Sequence, residues 1–126
     1  MVIDCFRINE RPEIPITVVD IVKEKSIEVN ALIDTGFSGF LLLPNSLYSK
    51  VNTVELDESF WRTYATLNGI VKTKVAKAKI KIGKIELESF IESPVLGRDL
   101  TLIGRELLKK ISVEIKKGKE ICVDDP

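Results

Sequence analysis

Ala31-Leu32-Ile33-Asp34-Thr35-Gly36-Phe37-Ser38-Gly39 is the stretch on which the reading of this chain turns. An apolar run delivers one carboxylate, Asp34, into a tight Gly-containing turn that carries two hydroxyls. A carboxylate behind such a run sits close to a core, where its charge is costly unless shared or hydrogen-bonded. Thr35 and Ser38 are short hydroxyls able to supply those bonds, and Gly36 permits positive φ or close approach of another backbone. The plainer reading is an Asp that opens an Asx-type turn at a strand end.

A second segment has to be read with the first. Leu102-Ile103-Gly104-Arg105-Glu106-Leu107-Leu108 is an apolar pair, a Gly and the start of a short helix. Val95-Leu96-Gly97-Arg98-Asp99-Leu100 repeats the short pattern. The later copy is preferred because Lys109-Lys110 and two alternating strands, Ser112 to Lys116 and Lys119 to Val123, follow it. Asp-Thr-Gly-x-Ser behind an apolar strand, with this segment roughly seventy residues on, resembles the retropepsin-like aspartic protease family, the single-lobe enzymes of retroviral type. The resemblance spans most of the chain. It implies an all-β fold with one or two short helices: a closed or partly open β-barrel with a flap hairpin.

The resemblance also implies roles. Asp34 is the expected catalytic residue, supported by Thr35, Gly36 and Ser38, with Leu102, Ile103, Gly104 and Arg105 as the structural motif behind the loop. In the family Thr35 bonds across a dimer interface and Gly36 lets the substrate backbone lie close. Phe37 stands where many relatives have a small residue, so the neighbouring subsite is expected to be reshaped. Arg105 occupies a position that pairs with an acidic loop residue in relatives, whereas this loop offers Ser38.

Length decides the assembly that the chemistry needs. A chain of 126 residues fits one domain, 1–126, and is too short for two lobes. Two-lobed aspartic peptidases carry two such loops, but no other Asp here is followed by Thr-Gly or Ser-Gly. The second carboxylate is therefore expected from another copy of the chain, in a symmetric homodimer. Two Asp34 side chains then share one proton and activate water against a peptide or protein substrate, without metal or other cofactor. The competing reading is a non-catalytic dimerisation or peptide-binding module on the same fold, taking extended segments by strand addition.

Composition excludes other chemistries. The chain has no His, which rules out imidazole-dependent serine or cysteine triads and argues against zinc hydrolysis. Nineteen basic and nineteen acidic residues give a formal net charge of zero, which argues against a nucleic-acid or membrane surface. No apolar run approaches the roughly 20 residues of a membrane span, and no basic-then-apolar leader opens the sequence, so a cytoplasmic location is expected. Gln is absent while Lys, Glu and Ile are abundant, a pattern of proteins from hot environments. Cys5 and Cys122 lack metal-ligand spacing and read as two thiols, with a disulfide as the alternative.

Most of the rest reads as strand. Ile27, Val29, Ala31 and Ile33 alternate with polar residues, and Asn45 or Ser46 is placed to cap a brief helix through Tyr48 to Val51. Gly83-Lys84 predicts a two-residue hairpin setting Lys79 opposite Glu88, Ile80 opposite Leu87 and Lys81 opposite Glu86. Upstream the lysine alternation slips by one residue at Val75-Ala76, which suggests a β-bulge or bend. Lys72 to Lys84 holds six lysines and no acid, but without Arg or aromatics it reads as a solvated strand face. Asn68-Gly69 marks another hairpin turn. The resemblance puts the flap tip there, with Asn68, Gly69 and Ile70 joining Gly36 and Phe37 as substrate contacts; otherwise it is an ordinary surface hairpin. Phe60, Trp61 and Tyr64 just before it read as core or flap-base packing rather than a substrate platform.

Overall fold

Alternation becomes strand wherever one face finds cover. The computed structural model describes residues 2–67, 69–96 and 100–125. β1 (Val2–Arg7) is followed by β2 (Glu13–Val19), which buries Ile14, Ile16 and Val18 and pairs antiparallel with β3 (Ser26–Ile33). β4 (Leu41–Leu42) and helix α1 (Asn45–Tyr48) come next, then the long hairpin strands β5 (Arg62–Thr66), β6 (Gly69–Ile82) and β7 (Ile85–Pro94). The chain ends with β8 (Leu102–Ile103), helix α2 (Arg105–Leu108), β9 (Ser112–Lys116) and β10 (Glu120–Asp125). No helix among the described residues is long and apolar enough to cross a membrane.

The main sheet runs β2-β3-β8-β4-β7-β6-β5, and β2 also pairs with β6 through Thr17, Val18 and Val19. That extra pairing closes the sheet into a ring, from which β5 projects as the outer strand of the β5–β6 hairpin. The fold is all-β, as the sequence implies. Ile14, Val18, Leu41, Ile80, Ile91 and Ile103 fill the ring and are fully buried. A separate sheet, β1-β10-β9, packs Phe6, Ile121 and Val123 onto that core.

Gly83 takes φ +58°, the left-handed conformation that a Gly-first two-residue turn requires. It fixes the predicted register: Lys79 opposite Glu88, Ile80 opposite Leu87, Lys81 opposite Glu86. The shorter charge pairs are diagonal, Lys79 Nζ with Glu86 at 3.0 Å and Lys77 Nζ with Glu88 at 3.6 Å, while the directly opposite Lys81 Nζ lies 4.0 Å from Glu86. The ladder between β6 and β7 runs unbroken through Val75-Ala76, so that slip is not a bulge in this pairing. Instead the covered face changes side. Residues 54–56 lie along β6 there, with Leu56 N–H on Val75 O and Lys77 N–H on Val54 O, so both Val75 and Ala76 are buried.

Two other expectations change. Pro44, not Asn45 or Ser46, occupies the N-cap of α1. Asn45 is used elsewhere, donating Nδ2–H to Pro94 O while its Oδ1 accepts from Ser93 Oγ. Cys5 and Cys122 form a disulfide instead of standing as two thiols. They face each other across β1 and β10, a pairing that depends on the register of strands 117 residues apart.

Asp20, after β2, is buried at 1 % exposure. Burial alone would push its carboxyl up, but hydrogen bonds from Lys23, Thr53 and Val22 more than offset this and hold it at about 2. These bonds, 2.9 to 3.0 Å long, pin the β2–β3 turn to the chain after α1. A depressed carboxyl contributes stability above its unfolded value, near 4, that is lost as pH falls toward about 2. The contribution is about 2 kcal/mol. Asp20→Asn should be less stable at neutral pH and lose part of the decline between pH 4 and pH 2; thermal melts across that range check it, and parallel curves for the two proteins would refute it.

The disulfide closes a loop of 117 residues of sequence separation, for which chain entropy gives a ceiling of about 5 kcal/mol. Reduction, or Cys5→Ser with Cys122→Ser, should lower the melting temperature clearly. A melting temperature indifferent to reductant would rule the cross-link out.

Candidate active site

Asp34 is the first residue beyond β3, and its backbone N–H donates to Ile103 O at 3.0 Å. Its own Oδ1 accepts Gly36 N–H at 2.9 Å, and its carbonyl accepts Phe37 N–H. The Asx-type turn is thus real, and it holds the carboxylate at the loop's rim. The rest of the loop hangs on the 102–106 segment. Gly104 N–H donates to Phe40 O, Arg105 N–H to Phe37 O and Glu106 N–H to Gly39 O. β8 is seated between β3 and β4, so the later copy of the apolar-apolar-Gly pattern lies behind the loop. Of the earlier copy, residues 97–99 lie outside the described residues. Arg105 reaches the loop through its backbone, with Ser38 in place of an acid.

Asp34, Gly36, Phe37 and Ser38 line one wall of an open groove of about 510 Å³. Thr63, Tyr64, Ala65, Thr66, Val71 and Thr73 of the β5–β6 hairpin line the groove as well. Leu42, Pro94, Leu96, Leu100 and Leu102 make the remaining lining apolar. Asp34 is the only carboxylate among these described lining residues. Thr35 is exposed beside the groove. Gly69 and Ile70 stand at the exposed end of the hairpin and do not line the groove in the single chain. Thr66 pairs with Gly69, so Gly69 already belongs to the returning strand; Asn68 lies outside the described residues. A second depression, of about 540 Å³, lies by Phe6, Pro15, Glu28 and Lys81, where Glu28 sits on a plain strand without a turn to hold it.

One functional-looking residue escapes the sequence. Glu92 of β7 has no exposed surface and accepts from Phe40 N–H at 2.8 Å, Thr73 Oγ1 at 2.9 Å and Tyr64 OH. Arg62 Nε lies 3.8 Å from the same carboxylate and donates to Tyr64 Oη at 2.7 Å. Burial, then the hydrogen bond to Glu92, pushes the Tyr64 hydroxyl well above the ordinary tyrosine range. Glu92 shares strand parity with Glu86 and Glu88, which face solvent, so alternation alone reads it as exposed. The signal in the sequence is a carboxylate set directly after the apolar pair Phe90-Ile91 and before Pro94.

No family model and no curated protein matches the sequence. Solved structures do. The chain is similar to a retropepsin-like aspartic protease from Rickettsia conorii, with a TM-score of 0.65 at 23 % identity over 96 % of this chain and 98 % of that one. It is also similar to EIAV protease complexed with the inhibitor HBY-793, with a TM-score of 0.60 at 17 % identity over 82 % and 90 %. With its ring of strands and one Asp-Thr-Gly loop hung upon β8, the chain has a retropepsin-like fold.

Proposed function

We propose that the chain is an aspartic endopeptidase that works as a homodimer. The observation that carries this is the placement of Asp34: an Asp-Thr-Gly carboxylate lining an open groove that it shares with the β5–β6 hairpin, with no second carboxylate among the described lining residues. A single ionised carboxylate cannot both take a proton from water and donate one to the substrate carbonyl. Two Asp34 side chains facing each other across a two-fold axis do both. Like charges about 3 Å apart cannot both persist, so the pair holds one proton. The ionised member takes a proton from water as that water attacks the scissile carbonyl. The protonated member donates to the carbonyl oxygen, and a proton then passes to the leaving amine. Thr35, exposed in the single chain, is available to meet its partner, and Gly36 leaves room for the substrate backbone.

Asp34→Asn keeps the shape of the loop and removes the shareable proton. It should lower kcat by at least about a thousandfold, within the range that general acid–base groups supply, while the melting temperature barely moves. A peptide-library digest at acidic to neutral pH, with and without a statine-type inhibitor, measures this. A variant with appreciable turnover would sink the mechanism. A folded wild type that binds peptides and cleaves none returns the binding-module reading.

A site made by two chains is diluted away. Specific activity should fall below the dimer dissociation constant, and excess Asp34→Asn chains should poison the wild type through mixed dimers. Sedimentation alongside the assay decides it, since a fully active monomer contradicts the shared site.

A further inference from the structure

Phe37 occupies the wall beside Asp34, and its position is fixed from three sides. A Cβ on Gly39 would collide with Phe37 Cζ, Tyr64 Oη and Glu92 Oε2 together; one on Gly104 would collide with Phe37 Cδ2 and the Gly39 carbonyl. The phenyl ring therefore lies bedded over two positions that have no side chain. Its remaining flank meets the Tyr64 ring edge-on at 5.2 Å between centroids. Tyr64 is in turn held by its hydroxyl, between Glu92 and Arg62. Glu92 also accepts the Phe40 N–H at the end of the same loop.

We infer that Glu92 is a positioning residue for substrate selection. Through Tyr64 it fixes Phe37 as a rigid wall, so that the adjoining subsite takes a small side chain and rejects an aromatic one. The inference rests on the endopeptidase reading and adds to it the class of substrate. An aromatic wall alone does not set this limit, because a free phenyl ring turns aside at little cost. Here a turn of the ring has to break the Tyr64 contact, and Tyr64 cannot follow without leaving a fully buried carboxylate short of a donor.

The test uses the full dimeric protein and peptides varied from Ala to Phe, one position at a time, across the four positions nearest the cleaved bond. The wild type should prefer Ala by about tenfold or more in kcat/KM at one of them. Phe37→Ala should abolish that preference. Tyr64→Phe, which deletes only the hydroxyl, and Glu92→Gln, which leaves one acceptor for three donors, should each relax it by about threefold or more, chiefly through a lower KM for the Phe peptide. A purely structural role for Glu92 would lower turnover of both peptides alike and leave the ratio unchanged, which overturns the inference. So does a wild type that prefers Phe at every position.

Binding of statine-containing, non-cleavable versions of the same peptides, followed by the fluorescence of Trp61, the chain's one tryptophan, separates the two readings. Discrimination in binding without cleavage defeats the peptidase and keeps the selection. Cleavage without discrimination does the reverse. No binding of either peptide set overturns the selection as well.

Discussion

Two residues carry the ring from β3 to β4. Leu102 and Ile103 lie parallel to β3 on one side and antiparallel to β4 on the other, and no other strand bridges those two in the sheet order. The same short strand offers Ile103 O to Asp34 N–H, and the next residue offers its N–H to Phe40 O. The β3–β8–β4 link of the barrel and the shape of the Asp34 loop are therefore held by neighbouring hydrogen bonds of one short segment. Thr35 and Gly36 of the loop are exposed, yet the loop inherits the rigidity of the core, because Ile103 and Leu107, which flank residues 104–106, are fully buried.

Buried charge is handled in the same way at two distant places. Asp20 and Glu92 both sit out of solvent, where an unsatisfied carboxylate is costly, and both are fed by donors from segments far apart in sequence. Asp20 joins a turn to Thr53; Glu92 joins β7 to the loop and to both strands of the hairpin. Removing one partner from such a cluster leaves a buried group unpaired, so these acids tie the geometry of the joined segments to their stability. At Glu92 the geometry so specified is that of the groove.

Local chemistry was legible in the sequence, and long-range cover was not. The β6–β7 register followed from a Gly-first turn with matched charges and aliphatics, all within a dozen residues. The Asp34 loop and the Leu102-Ile103-Gly104 segment were readable because their residue types are demanded by tight turns and close approach. Glu92 was unreadable because its strand leaves solvent only where the hairpin and loop fold over it. Ala76 shifted the alternation because residues 54–56 come to cover a face that period two leaves open. Cys5 and Cys122 are coupled by the register of the first and last strands, which no local pattern encodes.

That last pairing has a consequence for connectivity. β1 and β10 run side by side from Val2 opposite Asp125 to Arg7 opposite Glu120, so the backbone is almost a closed circle. A linker of a few residues would join its ends, and the exposed turn at Lys117 and Gly118 offers a place to open it without dividing any strand. In such a permutant every strand pairing survives, but Cys5 and Cys122 become near neighbours along the chain. The loop that they close shrinks from 117 residues to some tens at most, and the bond's entropic contribution falls by roughly 1–2 kcal/mol. The same two sulfurs in the same place would then stabilise the molecule less, because a cross-link acts through the chain it restrains when unfolded.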